Sequence, residues 1–301
     1  MGCFGLDIIE LRQSQLESFT RSCGLRLQLV EIDNESVIEC WVPKSITTHK
    51  PAVLLIHGFV FNATFEWEKQ INALQKAFNL FVPNLLFFGR STTQVEKRSE
   101  FFQAECMMKM LQQLNVKEAH VVGTSYGGIV AFRMAHMYPG VVKKVVIASA
   151  GVCMKPSTND PLLKSFNASH VHEILMPNNV QNLKKCMKLA THKPFLFLPT
   201  SIYEDFIKMM NHNWKHKVEL LDAMLVGSKN AAPLPYLSQD VLILWGRHDG
   251  LFNLDLGYEL KKHLGEKAKL VVISEAAHQP HIERSKEFNK FVMKFLEGNS
   301  K

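Results

Sequence analysis

The pattern of hydrophobic and polar positions changes character early in the chain. Residues 25–32 and 37–42 alternate between apolar and polar side chains, as strands with one buried face do. The polar residues 33–36 between them predict a turn, so the two segments predict a β-hairpin. The next segment, residues 51–59 (PAVLLIHGF), is continuously apolar, which is typical of a strand buried on both faces.

Strand-like and helix-like segments then follow one another in a regular order. A helix is also predicted before the hairpin, at residues 6–23. The alternation predicts the fold class: an α/β protein with a doubly wound, mostly parallel, eight-stranded sheet, right-handed crossovers and an antiparallel edge. The predicted strands after the hairpin are 51–59, 80–84, 120–124, 144–149, 240–245 and 269–273, and the predicted helices are 66–78, 96–114, 126–138, 256–264 and 285–296.

The alternation stops between residues 152 and 230. This segment is rich in Met, Lys, His and Asn, and it predicts several short helices interrupted by prolines. Because an insertion of this length in a regular sheet protein is typical of a lid, we interpret it as a helical cap inserted after strand 6. The predicted domains are an N-terminal helical extension (1–24), a core (25–151 and 231–301) and the cap (152–230).

The composition excludes several classes of protein. Of the 301 residues, 47% are hydrophobic and 21% are charged, which is typical of a globular chain and excludes a disordered one. The formal net charge of +7 does not gather into a basic stripe, so no nucleic-acid partner is predicted. The sequence has no run of about 18 apolar residues, so no membrane span is predicted either.

The cysteines form no pattern that indicates a metal site. They are widely spread, without a C-x-x-C pair or a Cys/His cluster at zinc spacing, so we predict free thiols, no metal and no cofactor. The first residues lack the basic start and the long apolar stretch of a signal peptide. Both observations favour a cytoplasmic location. The six cysteines are Cys3, Cys23, Cys40, Cys106, Cys153 and Cys186.

Residues 123–127 (GTSYG) match the pattern G-x-S-x-G where a predicted strand becomes a predicted helix. At such a junction a serine on a tight, strained turn projects its hydroxyl above the sheet. The flanking glycines let strand and helix pass closely without Cβ clashes. The helix beginning at Tyr126 also points its N-terminus, with unpaired N–H groups, toward a reacting carbonyl. The pattern therefore predicts Ser125 as a nucleophile.

A serine nucleophile needs a base, and the base needs an acid to orient it. His278 follows the strand 269–273 after a short loop, which places it at the same edge of the sheet as Ser125. His281, three residues later, is the alternative base. Asp249 directly follows the strand 240–245, and the chain order Ser, Asp, His is the one expected when the serine lies on a strand-to-helix turn of such a sheet. The alternative acid, Asp255, stands where a helix-capping aspartate is expected.

Two backbone N–H groups should stabilise the oxyanion that forms when the serine attacks. The N–H of Tyr126, directly after the nucleophile, is one of them. The loop after the first buried strand should supply the other, through Phe59 or, as the alternative, Val60. His57 in the same loop is interpreted as a structural residue that braces it.

These features together resemble the α/β-hydrolase fold family. The resemblance covers residues 25–301 and lies in the motifs HGF (57–59), GTSYGG (123–128), GRHD (246–249) and AAHQPHIE (276–283). Residues 83–92 are similar to a plant-type branch of capped serine hydrolases, described as carboxylesterase-like or semialdehyde-hydrolase-like. Family members that open epoxides carry an aspartate at the nucleophile position, so Ser125 argues against that reaction.

The chain departs from the family pattern at positions around the site. Asn84 stands where an aspartate is usual, Ala277 where glycine usually precedes the histidine, and Arg247 where an acidic residue is frequent. None of these departures removes Ser125, Asp249 or His278. They indicate a branch with its own substrate or reaction.

The resemblance and the site together predict a serine hydrolase that cleaves a small hydrophobic or aromatic carboxylic ester through an acyl-enzyme on Ser125. Alternatives with the same triad are hydrolysis of a carbon–carbon bond, elimination and acyl transfer. A ligand receptor like the plant butenolide and strigolactone receptors is a further alternative, and no protein partner is identified. Some large apolar residues of the cap should line the pocket: Phe166, Met176, Phe195, Phe197, Tyr203, Phe206, Met209, Met210 and Trp214.

Overall fold

The computed structural model describes residues 8–194 and 197–298, and the predicted sheet lies at its centre. Eight strands follow the order β1-β2-β4-β3-β6-β7-β8-β9, and β5 pairs with β2 off this path. The hairpin β1–β2 is antiparallel, and the pairs from β4 to β9 are parallel. The strands are β1 (Leu25–Asp33), β2 (Ser36–Pro43), β3 (Ala52–Ile56), β4 (Asn79–Pro83), β5 (Thr92–Thr93), β6 (Ala119–Thr124), β7 (Val142–Ala148), β8 (Asp240–Gly246) and β9 (Ala268–Ile273).

Helices cover both faces of this sheet, as the predicted fold class requires. Their bounds are α1 (Ile8–Ser22), α2 (Ala63–Leu74), α3 (Glu100–Gln113), α4 (Tyr126–Met137), α5 (Asp160–Phe166), α6 (Val171–Leu175), α7 (Val180–Ala190), α8 (Thr200–Met210), α9 (Trp214–Asp222), α10 (Asp255–Leu264), α11 (Pro280–Glu283) and α12 (Ser285–Leu296). The α/β fold class with its mostly parallel sheet is therefore confirmed.

The core divides into two layers because successive residues of the buried strands point to opposite faces. On β3, Leu54 and Ile56 pack into one cluster with α3, α4 and α10. Val53 and Leu55 pack into the other with α2 and α12. All four side chains are fully buried. Burial on both faces explains why this segment is continuously apolar in the sequence.

Local capping sets helix boundaries that periodicity alone misplaces. Helix α2 begins at Ala63 because the Asn62 side chain accepts the N–H of Phe65 at 3.1 Å. Helix α3 begins at Glu100, later than predicted, because Ser99 caps it through the N–H of Phe102. Strand β5 and helix α11 were not predicted, since each has four residues or fewer.

Five helices, α5 to α9, lie between β7 and β8, which are neighbours in the sheet. We call them the inserted helices. They follow the sixth strand of the eight-stranded path. Leu183, Tyr203 and Met210 form a small buried cluster between α7 and α8. The Lys217 ammonium is buried and donates to the Met210 carbonyl at 2.9 Å, so it neutralises the C-terminal end of α8.

Some sequence predictions fall outside the described residues. Residue 6, at the start of the predicted N-terminal helix, is one, and Cys3 and Phe195 are others. The cysteines of the described part are free thiols. Among the helices described, none is both long and apolar enough to cross a membrane.

Candidate active site

Ser125 occupies the single residue between the end of β6 and the start of α4. Its backbone has φ +52° and ψ −123°, a conformation that residues other than glycine rarely adopt. Holding a residue there costs about 1–3 kcal/mol, which the surrounding structure must supply. The Ser125 N–H donates to the Ala148 carbonyl at 2.9 Å and so fixes the turn to β7. The turn lifts the hydroxyl away from the sheet, as the pattern predicted.

The glycines around Ser125 are required by close backbone contacts. A Cβ on Gly127 would overlap the carbonyl oxygens of Ile56 and His57. A Cβ on Gly123 would overlap the carbonyl of Gly127. Helix α4 can therefore start this close to β3 and β6 only because these positions carry no side chain.

His278 lies between Ser125 and Asp249 and contacts both. Its Nε2 is 2.9 Å from the Ser125 Oγ, and its Nδ1 is 2.9 Å from the Asp249 Oδ2. Since a carboxylate can only accept, Nδ1–H donates to Asp249 and Nε2 is left to accept the serine proton. The other carboxylate oxygen accepts the N–H groups of Leu251 and Phe252 at 2.9 and 2.8 Å, which fixes Asp249. The structure thus brings together the three residues that the sequence predicted as a triad.

Burial and nearby carboxylates act in opposite directions on His278. Burial lowers its pKa, but the Asp249 carboxylate, with Glu66 and Glu283 further away, raises it above the ordinary 6.5. The net effect favours the imidazolium that forms when His278 takes the serine proton. Neutral His278, the form able to act as a base, therefore accumulates only as the pH rises above this raised pKa.

The alternative base and the alternative acid lie elsewhere. His281 is fully buried in α11, and its Nε2 is 2.8 Å from the carboxylate of Glu66 in α2. Asp255 is the first residue of α10, and its backbone N–H contacts the Asn253 side chain. Neither has a hydrogen bond to Ser125 or His278.

Hydrogen bonds of the His57 side chain stabilise the loop after β3. Its Nε2 accepts the N–H of Leu85 at 2.9 Å, and its Nδ1 contacts the Gly58 carbonyl at 2.6 Å. Burial lowers the pKa of His57 to about 4, so the ring is neutral and serves as one donor and one acceptor. Both ring nitrogens of His57 are thus engaged with the backbone, which fits the structural role that the sequence indicated.

The predicted oxyanion donors border the nucleophile. Phe59 and Tyr126 both line a cavity that contains Ser125, and their rings meet edge to face with centroids 5.6 Å apart. The Tyr126 N–H belongs to the first turn of α4, where backbone donors have no partner inside the helix. The alternative donor, Val60, lines the larger cavity beside Ser125, together with Phe59.

Two cavities meet at Ser125 and His278. The larger has a volume of about 140 Å³ and the smaller about 40 Å³. Phe59, Leu175 and Leu251 line both and form the wall between them. Among the described residues, the ionisable side chains that line these cavities are His278, one cysteine and one tyrosine; no Asp, Glu, Lys or Arg lines either cavity. The polar lining is limited to small neutral groups, so both sides of the nucleophile suit uncharged, apolar groups.

Of the large apolar residues proposed to line the pocket, Phe206 and Met210 do so. Among the other candidates that the structure describes, Phe197 is 90% exposed, Trp214 is half exposed, and Tyr203 is buried inside the inserted helices. The lining also includes apolar side chains that were not predicted from the sequence, among them Leu162, Val171, Leu175, Leu183, Leu221 and Met224.

Helix α7 is tied to both loops that carry the acid and the base. The Gly250 N–H donates to the Leu189 carbonyl at 3.0 Å, and the His278 N–H donates to the Ala190 carbonyl at 3.1 Å. Glu283 adds a side-chain link, because its carboxylate accepts the N–H groups of Ala277 at 2.8 Å and His192 at 2.7 Å. This role of Glu283 was not predicted, because the only signal in the sequence is a glutamate five residues after His278.

The departure at Asn84 has a local explanation. Its side-chain amide donates to the Glu39 carboxylate at 3.1 Å, and its carbonyl oxygen accepts the N–H of Ala63 at 2.7 Å. An aspartate would place a second negative charge against buried Glu39, so the amide suits this neighbour. Arg247 is exposed, and nothing in its contacts bears on the site.

Comparison with known proteins identifies the family to which this fold belongs. Residues 51–285 match the α/β hydrolase fold family. The chain belongs to the α/β-hydrolase family. It is 29% identical over 216 residues to a 2-hydroxy-6-oxononadienedioate/2-hydroxy-6-oxononatrienedioate hydrolase of a Pseudomonas species, covering 69% of this chain and 74% of the relative. It is 22% identical over 290 residues to the monoacylglycerol lipase ABHD6 of Mus musculus, covering 92% and 84%.

A solved structure agrees on the fold. The 2-hydroxy-6-oxo-6-phenylhexa-2,4-dienoate hydrolase from Rhodococcus sp. strain RHA1 superposes with a TM-score of 0.73 at 21% identity, covering 91% of this α/β-hydrolase and 99% of that chain. The relatives thus include hydrolases of carbon–carbon bonds and of esters, and family membership alone does not choose between these reactions.

Proposed function

We propose that this α/β-hydrolase cleaves a small, apolar carboxylic ester through an acyl-enzyme on Ser125. The observation that carries the proposal is the line of hydrogen bonds Ser125–His278–Asp249, each 2.9 Å long, which opens onto two apolar cavities. A triad of this geometry activates a hydroxyl for attack on a carbonyl carbon. Cavities on both sides of the nucleophile would hold the acyl half and the alcohol half of the ester.

The proposed reaction proceeds in two halves. His278 Nε2 takes the Ser125 proton while the Oγ bonds to the carbonyl carbon, and the N–H groups of Phe59 and Tyr126 stabilise the oxyanion. The imidazolium then gives its proton to the departing alcohol oxygen, which leaves an acyl-Ser125 ester. Water then attacks the acyl carbon while His278 Nε2 takes a proton from it, and His278 passes this proton to the Ser125 Oγ as the bond to the acyl carbon breaks and the carboxylic acid departs.

Hydrolysis of a carbon–carbon bond is the second candidate, because the Pseudomonas relative is named as a hydrolase of a dienoic keto acid, 2-hydroxy-6-oxononadienedioate. The dienedioate in that name bears two carboxylates, which are ionised near neutral pH. A buried carboxylate needs a cationic or hydrogen-bonding partner. Neither cavity beside Ser125 is lined by Lys or Arg in the described chain, and the hydrogen-bonding side chains Asn159, Thr191 and Gln279 are neutral. Two carboxylates would therefore find no cationic partner there, and an uncharged ester fits the lining better.

The inserted helices would act as a lid that sets substrate size. In this proposal they form the cap of the predicted domain division, and the sheet with its flanking helices forms the core. A plant-type branch of the family and a cytoplasmic location stay predictions. Elimination and acyl transfer would use the same triad but release different products. A receptor would use the same residues to bind a ligand with little or no turnover.

A fluorophosphonate probe tests the proposal directly. Wild-type protein should gain a mass adduct on Ser125, and Ser125→Ala and His278→Ala should not be labelled. A series of p-nitrophenyl esters of increasing acyl length, with a dienoate substrate alongside, then measures preference by kcat/KM. Faster turnover of short, neutral esters is expected. Absence of labelling in folded wild-type protein would refute the serine hydrolase, and a dienoate preference would select carbon–carbon cleavage.

A further inference from the structure

Two histidines and an aspartate meet on the inserted helices, away from the triad. His170 immediately precedes α6, His172 is its second residue, and Asp222 is the last residue of α9. The His172 Nδ1 lies 3.3 Å from the Asp222 Oδ1, and the two histidine rings stack with centroids 5.1 Å apart. One ligand atom from each residue can be chosen so that all three lie within 4.8 Å of one another.

This donor set is one that divalent transition metals prefer. Two imidazole nitrogens and a carboxylate oxygen suit Zn²⁺, which binds them at about 2.0–2.2 Å. Tetrahedral ligands at such bond lengths are roughly 3.4 Å apart. His172 and Asp222 already have this separation, at 3.3 Å. The exposed His170 caps α6, where its side chain accepts the Glu173 N–H, and one of its ring nitrogens already lies within 4.8 Å of the other two ligand atoms, so a small shift brings the third ligand in.

The neighbouring charge also favours a cation. Glu173 lies beside the histidines, and its carboxylate accepts the N–H groups of Ser169 at 2.9 Å and His170 at 2.8 Å. The cluster therefore has negative charge from both Asp222 and Glu173.

We propose that His170, His172 and Asp222 form a Zn²⁺ site that joins α6 to α9, with water completing the coordination. No metal was predicted from the sequence, because it contains no C-x-x-C pair and no Cys/His cluster at zinc spacing. The spacing His170-x-His172 supplies two ligands only, and the third is 50 residues further along. The fold, and not the local sequence, assembles the set.

The position of the site gives it a consequence for catalysis, which rests on the proposed function. Val171 and Leu175 of α6 and Leu221 of α9 line the smaller cavity beside Ser125. A metal that ties His172 to Asp222 holds these walls in one arrangement. Bound Zn²⁺ should therefore change the KM for esters while leaving the intrinsic reactivity of Ser125 unaltered.

Isothermal titration of tag-free, metal-stripped protein with ZnCl₂ measures the site. His172→Ala and Asp222→Asn should each weaken binding by at least about tenfold. His216→Ala is the matched control, because His216 makes a similar histidine–carboxylate pair with Glu219 on α9, at 3.2 Å, and should leave the affinity unchanged. At 100-fold excess over Kd, Zn²⁺ should raise the Tm by about 2–5 °C in wild type. Equal affinity in His172→Ala would overturn the proposal.

Trp214 provides an independent reporter of location. Its ring is 6.4 Å from that of His172, and it is half exposed, whereas Trp41, Trp67 and Trp245 are buried. Ni²⁺, which uses the same ligands and quenches nearby indoles, should reduce the fluorescence of wild type. Trp214→Phe should lose the quenching yet retain Zn²⁺ binding by titration. Quenching that persists in Trp214→Phe would place the metal elsewhere and refute the site.

Fluorophosphonate labelling separates the two proposals when measured on the same samples. Labelling with unchanged Zn²⁺ affinity in His172→Ala refutes the metal site and leaves the hydrolase. Zn²⁺ binding that needs His172 and Asp222, in a protein whose Ser125 does not react, refutes the hydrolase and supports the site. Where both hold, Zn²⁺ should shift the KM of wild type and leave that of Asp222→Asn constant; an identical shift in both would contradict the proposed coupling.

Discussion

The edge of the sheet that carries Ser125 and the helices inserted above it are positioned by different means. Ser125, Asp249 and His278 each follow a parallel strand, and the carboxyl ends of parallel strands meet at one edge. Backbone hydrogen bonds between β6, β7, β8 and β9 thus fix the three side chains. The inserted helices have no such frame, and their positions depend on side-chain packing and on a few links to the loops.

This difference separates chemistry from specificity. The reacting groups need particular residue types at particular strand ends, so they leave a recognisable trace in the sequence. The walls of the two cavities need only apolar side chains of suitable size, and Leu, Val and Met satisfy that at many positions. A change in the strand-end residues should therefore affect rate or folding, and a change in the inserted helices should affect substrate preference.

The largest effect is expected for Asp249→Asn. The amide would donate to His278 Nδ1, forcing the tautomer in which Nε2 carries a proton and cannot accept one from Ser125. We expect kcat/KM for a p-nitrophenyl ester to fall by about 10³- to 10⁴-fold. A drop of less than tenfold, with the fold intact by circular dichroism, would show that Asp249 does not orient His278.

The same variant should move the pH profile. In wild type the base must be neutral, and Asp249 raises the pKa of His278, so activity should increase as the pH rises through a value above 6.5. Without that carboxylate, burial dominates and lowers the His278 pKa. The acidic limb of kcat/KM against pH should therefore shift to lower pH in Asp249→Asn, and an unmoved limb would contradict this assignment.

The next largest effect is expected for Gly127→Ala, a test of the backbone frame. The new Cβ would overlap the carbonyls of Ile56 and His57. We expect the free energy of unfolding to fall by about 3 kcal/mol in urea titration. Gly140→Ala is the matched control, because a Cβ there contacts nothing within 4 Å, and its stability should match wild type. Equal stability of the two variants would show that the close approach is not required.

Glu283→Gln tests the link between the two regions. The glutamine amide can accept only one of the N–H groups of Ala277 and His192 and would turn a donor toward the other. We expect kcat/KM to fall by about 30-fold, the equivalent of one charge-assisted hydrogen bond. Because both the His278 loop and the end of α7 lose support, the loss should appear with short and long esters alike. A change confined to long esters would mean that the link shapes only the lid.

The extent of successful prediction follows the same division. The terminal helix was predicted at 285–296 and found at Ser285–Leu296, because its apolar stripe is uninterrupted. The triad residues were predicted because each is anchored to a strand end. The Glu66–His281 pair was missed because its partners are 215 residues apart, and nothing local marks either one. The cavity walls were missed because their choice depends on how short helices pack, which periodicity does not encode.

The smallest effect is expected for the walls themselves. Leu175 lines both cavities, whereas Leu183 lines only the larger and Leu221 only the smaller. Leu183→Ala and Leu221→Ala should therefore each change the preferred length of a different half of the ester. Leu175→Ala, which widens both cavities, should change both preferences. We expect shifts of about tenfold in the ratio of kcat/KM between long and short esters, near what one methylene contributes in an apolar pocket.

The three leucine variants also decide which cavity holds the acyl group. Acyl length is varied in p-nitrophenyl esters and alcohol length in a matched alkyl series, with fluorophosphonate labelling as the check that Ser125 remains reactive. If Leu183→Ala alters only the acyl series, the larger cavity binds the acyl half, and the reverse result assigns it to the alcohol. A uniform loss across both series in all three variants would mean that the inserted helices support the triad and do not select the substrate.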